Sequence, residues 1–135
     1  MSGEADLAVL LRNLRPSLDS VDYAFATLPA GQQRPPGVRV LGTFEEEEGT
    51  TIIAPSADLV GSDFACTSGW ARLTLQVHSS FEAVGMTAAI ATALAKAGIS
   101  ANVVAAFYHD HVFVPWGRRH EALAILEGLA SSRRV

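Results

Sequence analysis

The chain has 135 residues, of which 49% are hydrophobic and 18% are charged, and its formal net charge is −4. This length and composition are typical of a small globular protein that buries its own core. The excess of carboxylates argues against nucleic acid as a partner, since a phosphate backbone needs a basic surface. Membrane insertion is not expected either, because no apolar run reaches the roughly 18 residues that a membrane helix needs.

The N-terminus and the cysteine content predict the compartment. The segment "MSGEADLAVLLRNLRP" has no basic region ahead of its apolar residues, so it does not resemble a signal peptide. The chain has one cysteine, Cys66, which cannot form an internal disulfide. We therefore expect a cytoplasmic protein.

The first half contains one helix pattern and several strand patterns. Leu7, Leu10, Leu11 and Leu14 recur at i, i+3, i+4 and i+7, which predicts a helix that ends before Pro16. The β-rich segments are "VDYAFATL" (21–28), "VRVLGTF" (38–44) and "TTIIAP" (50–55). Proline-rich residues 29–37 predict a loop, and "EEEEG" (45–49) predicts a solvated turn rather than a cation site.

The second half has a clearer order. Leu73, Leu75 and Val77 alternate with polar residues, which predicts a strand over 71–78. A helix follows from Gly85, with apolar residues on one side and Gly98 as its C-terminal glycine. Two strands, 101–108 and 111–115, and a last helix with Ala122, Ile125, Leu126 and Leu129 on one stripe complete the chain.

This order predicts the fold class. The β-α-β-β-α second half is most of a ferredoxin-like βαββαβ unit, and the first half looks like the same unit without its opening strand. Both "TTIIAPSADL" and "HVFVPWGRRH" end a strand on proline before a helical segment. We therefore predict an α+β protein of two ferredoxin-like units in tandem, 1–68 and 69–135, with antiparallel sheets and helices on one face. Unpaired sheet edges predict a homodimer.

A candidate binding site lies at the start of the predicted helix. Gly85, Met86 and Thr87 would present free N–H groups at a positive helix end, which favours a carboxylate. Asp110, expected in the connection between the last two strands, could pair with an ammonium group. A zwitterion such as a free amino acid needs both. A tight strand-to-helix turn at Gly85 and a turn residue at Asp110 explain the same pattern.

The triplet His109-Asp110-His111 and the lone Cys66 are candidates for metal binding and for nucleophilic chemistry. The i, i+2 spacing places both histidines on one face of a strand, but a zinc site wants three or four ligands and no others cluster nearby. We therefore expect histidines that bond locally or line a ligand pocket. Cys66 has no paired base, and the chain has no GxGxxG, GxxxxGK[ST] or GxSxG motif, so we expect neither an enzyme nor a cofactor.

Residues 78–115, with "FEAVG", "AIATALAKAGIS" and "FYHDHVFVP", resemble the ACT domain, a small regulatory module that binds amino acids. "GTFEEEEGTTIIAP" is similar to the first repeat of the subgroup found in stand-alone bacterial proteins and in arginine-sensing proteins. The resemblance implies ligand contacts at Gly85 and Asp110. It implies a pocket wall from neighbouring residues, namely Ser80, Phe81, Val84, Met86, Thr87, Asn102, Ala106, Phe107 and His109.

Three functions follow as hypotheses. The first is a non-catalytic regulatory protein that binds a free amino acid between ACT-type units. The second is a dimeric protein-interaction module without a ligand. The third is a metal-binding protein that uses His109 and His111.

Overall fold

The secondary structure follows the hydrophobic patterns, with shifted boundaries. The computed structural model describes residues 6–78 and 83–131. The helices are α1 (Leu7–Arg12), α2 (Met86–Lys96) and α3 (Arg119–Ser131), with 3-10 turns at Ser56–Leu59 and Trp116–Arg118. The strands are β1 (Pro16–Leu28), β2 (Gly42–Glu45), β3 (Thr50–Pro55), β4 (Cys66–Leu75), β5 (Asn102–Ala105) and β6 (Asp110–Pro115).

Strands β1 and β4 differ most from their predicted bounds. β1 begins at Pro16, five residues before the predicted start, because a proline is tolerated as the first residue of a strand. β4 begins at Cys66 and ends at Leu75, where the Gln76 N–H donates to the Leu14 carbonyl at 3.1 Å. Cys66 is exposed.

The described chain forms two units. The central unit contains residues 20–70, and the terminal unit contains the described residues of 1–19 and 71–135. The strand order is β2-β3-β1-β4 in the central unit and β1-β4-β6-β5 in the terminal unit, so β1 and β4 contribute to both. The β1–β3, β2–β3 and β5–β6 pairs are antiparallel.

In the terminal unit all three helices pack on one face of the sheet. The sheet contributes alternate residues of β4 and β6 to this core, namely Ala71, Leu73, Leu75, Val112 and Val114. The helices contribute the adjacent Leu10 and Leu11 of α1, and residues spaced four apart in the other two helices, namely Met86, Ile90 and Leu94 of α2 and Ala122, Leu126 and Ala130 of α3. The buried face of each strand, which repeats every two residues, and the buried face of each helix, which repeats every 3.6 residues, therefore form a single core.

The central unit has a smaller core and little helix. Its buried residues are Ala24, Ala26 and Leu28 of β1, Ile52 and Ala54 of β3, and Leu59. The 3-10 turn Ser56–Leu59 follows Pro55 (φ −55°, ψ 133°), and the terminal unit has the same geometry at Pro115 (φ −55°, ψ 135°). The internal repeat that the sequence indicates is therefore present in the backbone, although only the second copy continues into an α-helix.

The predicted fold class is confirmed: the protein is α+β, with antiparallel sheet pairing and helices on one face. The predicted division into two units at residue 68 stays a prediction. When the chain is divided into compact units, the described residues before Ser20 fall in the same unit as those after Trp70. Within residues 6–78 and 83–131, no helix is long and apolar enough to cross a membrane.

Candidate functional site

The start of α2 is a helix terminus that no described side chain caps. Gly85 is its N-cap, with φ 96° and ψ −15°, and no side chain of residues 6–78 or 83–131 accepts a hydrogen bond from this end. The Gly85 carbonyl accepts the first helical bond from the Ala89 N–H at 2.9 Å. The N–H groups before Ala89 therefore have no partner within the helix, and the helix dipole makes this end positive. An anion is the group that such an end binds best.

Leu7 of α1 packs directly over this turn. A Cβ added to Gly85 would lie 3.1 Å from Leu7 Cδ2, closer than ordinary van der Waals contact. Glycine is therefore required at residue 85 by its left-handed backbone and by the space available. Sequence reasoning missed Leu7 as part of the site, because the contact joins residues 78 positions apart.

Asp110 also belongs to the terminal unit, but it does not lie in the connection where we predicted it. It is the first residue of β6 and pairs with Ala105 of β5. By the alternation of the strand it faces the same side as Val112 and Val114, the side that the helices cover. The start of β6 adjoins the end of β4, since Thr74 bonds to His111.

The Asp110 carboxyl is half-buried, and no described residue donates a hydrogen bond to it. No hydrogen bond or salt bridge from residues 6–78 or 83–131 reaches its oxygens. Burial raises the pKa of Asp110 above its usual value, and the neighbouring His109 lowers it by a smaller amount. A half-buried carboxylate without a partner is costly, so a cation beside it would be stabilising.

The β5–β6 hairpin closes through a two-residue loop that exposes aromatic rings. The Ala106 N–H donates to the His109 carbonyl at 3.1 Å, which leaves Phe107 and Tyr108 at the tip, 58% and 54% exposed. Their ring centroids are 4.9 Å apart, and the His78 ring lies 5.8 Å from that of Tyr108. Sequence reasoning missed Tyr108 and His78 as neighbours of the site.

The two histidines flank the start of β6. His109 immediately precedes the strand, and His111 is its second residue, so the predicted shared face stays a prediction. His111 Nδ1 lies 2.9 Å from Thr74 Oγ1, on the face opposite Asp110. Burial lowers the pKa of His111, and the charges of Arg72 and His109 lower it further. Within the described part of the chain, no three His, Cys, Asp or Glu side chains are grouped as metal ligands.

The remaining predicted residues are dispersed. Met86 is buried in the core and Thr87 is exposed at the start of α2, beside Val84, which is 81% exposed. Asn102 pairs with Phe113, three residue pairs along the hairpin from Asp110, which is about 10 Å at the usual rise of a strand. Ser80 and Phe81 lie outside the described residues.

Family models match both halves of the chain. One ACT domain model matches residues 2–66 and a second ACT domain model matches residues 66–128. The chain belongs to the ACT domain family, as two such domains in tandem. No curated protein sequence matches it significantly.

Solved structures share this fold over most of the chain. A Vibrio cholerae protein of unknown function, described as a possible transport protein, is 38% identical, with 92% of this chain and 95% of that chain covered and a TM-score of 0.81. An Agrobacterium tumefaciens protein is 20% identical over 82% of this chain and 84% of its own, with a TM-score of 0.68. The ligand-free regulatory subunit of aspartate kinase from Thermus thermophilus is 11% identical over 87% and 97%, with a TM-score of 0.62.

Proposed function

We propose that this protein is a non-catalytic regulatory protein that binds a free amino acid at the terminal unit, between the start of α2 and Asp110. The observation that carries the proposal is that the terminal unit holds two groups with opposite charge preferences. Among the described residues, no side chain caps the positive α2 terminus, and none donates a hydrogen bond to the Asp110 carboxyl. A zwitterion supplies both groups in one molecule.

Family membership supports the same class of ligand. ACT domains are regulatory modules that bind amino acids, and the aspartate kinase relative is a regulatory subunit. The exposed rings of Phe107 and Tyr108 and the half-buried His109 would form a wall beside the amino acid's side chain. A single cysteine supports a cytoplasmic location, where thiols stay reduced.

We also propose that the protein is a homodimer that pairs through β5. This strand is at the edge of the terminal unit's strand order, and its Val104 side chain is 37% exposed. A second copy would satisfy the free backbone groups of the edge. Sedimentation of wild-type protein and of Val104→Lys tests this, and equal sedimentation of both would contradict an interface at β5.

Thermal unfolding against the twenty amino acids tests the proposed ligand class. A ligand at 100 times its dissociation constant stabilises the native state by about 2.7 kcal/mol. One or a few amino acids should raise the unfolding temperature of wild-type protein and not that of Asp110→Asn. Glu127→Gln, a change at an exposed carboxylate of α3, serves as the control and should behave as wild type. A flat panel would instead favour the interaction module without a ligand.

A further inference from the structure

A concave site lies in the central unit, and its lining includes neither Gly85 nor Asp110. It is a cavity of about 750 Å³ where β1 ends, between the β2–β3 hairpin and residues 61–65. This volume is within the range of about 300–1,000 Å³ in which proteins hold small molecules. Nothing in the proposed function uses this cavity.

The cavity combines apolar walls with two carboxylates. Leu28, Pro29, Pro35 and Phe64 supply the apolar surface, and Glu48 and Asp63 supply the negative charge. None of its lining residues within the described chain is a lysine or an arginine. Neither carboxylate forms an ion pair with a described residue.

The charge of the whole unit has the same sign. Residues 20–70 contain seven Asp and Glu against two Arg, a net charge of −5, whereas the rest of the chain carries +1. The two arginines are Arg34, which is not among the lining residues, and Arg39, whose Nε donates to Asp58 at 3.1 Å. A field of one sign over a low-dielectric concavity concentrates ions of the opposite sign.

The hairpin beside the cavity differs from its counterpart in the terminal unit. Both hairpins close through a two-residue loop, at Glu46 and Gly49 in one and at Ala106 and His109 in the other. The tip residues are Phe107 and Tyr108 in the terminal unit but Glu47 and Glu48 in the central unit. Equivalent backbone positions therefore carry aromatic rings in one unit and carboxylates in the other, which indicates a different ligand chemistry.

We propose that this cavity binds a small organic cation, a primary amine or guanidine carried on an apolar body. The apolar walls contact the body, and Glu48 and Asp63 contact the charged head. The site is independent of the proposed amino-acid site, so either can fail without the other.

Titration of the full chain with n-pentylammonium, followed by backbone amide NMR, tests the proposal. We expect saturable shifts at 61–65 and at the β2–β3 hairpin below about 10 mM, weakened by added salt. The neutral analogue 1-pentanol should bind at least about threefold more weakly. Asp63→Asn and Glu48→Gln should each weaken binding, and the double variant should abolish saturation.

Two variants serve as controls. Glu47→Gln removes the neighbouring charge of the same tip, outside the lining residues, and should weaken binding less than Glu48→Gln does. Asp110→Asn should also bind n-pentylammonium normally. Equal binding of 1-pentanol, or unchanged binding in the double variant, would overturn the proposal. Calcium chloride that shifts the same amides at lower concentration than the amine would make this an inorganic cation site and would also overturn it.

Discussion

Replacing Gly85 by alanine tests the geometry of the α2 terminus most sharply. The backbone there has φ 96°, and a left-handed conformation costs a residue with a Cβ about 1–2 kcal/mol. The new Cβ would also lie 3.1 Å from Leu7 Cδ2, so the end of the Leu7 side chain must shift by a few tenths of an ångström, at a strain of about 0.5–1.5 kcal/mol. The expected loss of stability is the sum of the two, about 1.5–3.5 kcal/mol.

Gly98, at the other end of the same helix, provides the matched control. It has φ 71° and no heavy atom within 4 Å of an added Cβ, so Gly98→Ala should show only the backbone cost. A chain of 135 residues has an unfolding entropy near 0.28 kcal/mol/K, so each kcal/mol lowers the unfolding temperature by about 3.5 °C. Gly98→Ala should therefore lose about 4–7 °C and Gly85→Ala about 5–12 °C.

Thermal unfolding followed by circular dichroism measures both losses. In a double-mutant cycle, Leu7→Ala should reduce the cost of Gly85→Ala to that of Gly98→Ala, because the contact is gone. Equal costs for Gly85→Ala and Gly98→Ala in the presence of Leu7 would refute the close packing of α1 on this turn.

Three further predictions concern charge. The pKa of Asp110 is raised in the folded state, so its ionisation opposes folding and stability falls as pH rises through that pKa. Asp110→Asn should therefore be more stable than wild type at pH 7 and equal to it at pH 3. Denaturant titrations at both pH values measure the difference, and a less stable variant at pH 7 would contradict the raised pKa. The pKa of His111 is lowered, so the stability of the fold should fall as pH drops below about 6.5. His111→Gln should flatten that decline, and an unchanged pH profile of stability in the variant would contradict the role of His111. Arg72 and Asp19 form a half-buried ion pair at 2.7 Å, so Arg72→Met, which removes this ion pair, should cost about 1–3 kcal/mol. A loss below about 0.5 kcal/mol in urea titration would show that the pair contributes no more than an ordinary surface ion pair.

Local patterns predicted the elements of the terminal unit well. Leu73 and Leu75 face the core together, and Ile90 and Leu94 lie on the buried stripe of α2, as their spacing indicates. These patterns predicted the buried faces correctly because one face of each element is buried in the same core.

The strand boundaries that were predicted wrongly depend on contacts between residues far apart in the sequence. The first residues of β1 alternate poorly, and Asp19 is held by Arg72, 53 positions away. The same limit applies to the site. The position of Asp110 inside β6 depends on a loop that closes at 107–108 rather than around residue 110, and the contact of Leu7 with Gly85 depends on how α1 packs.

The most direct test of the central claim is calorimetric titration of the amino acid that stabilises the protein most, compared with two analogues. One analogue lacks the α-ammonium group and the other carries an amide in place of the α-carboxylate. The account predicts that each analogue binds at least about tenfold more weakly, and that Asp110→Asn removes the preference for the ammonium group. Equal affinity for all three ligands, or an unchanged preference in Asp110→Asn, would contradict a zwitterion held between α2 and Asp110.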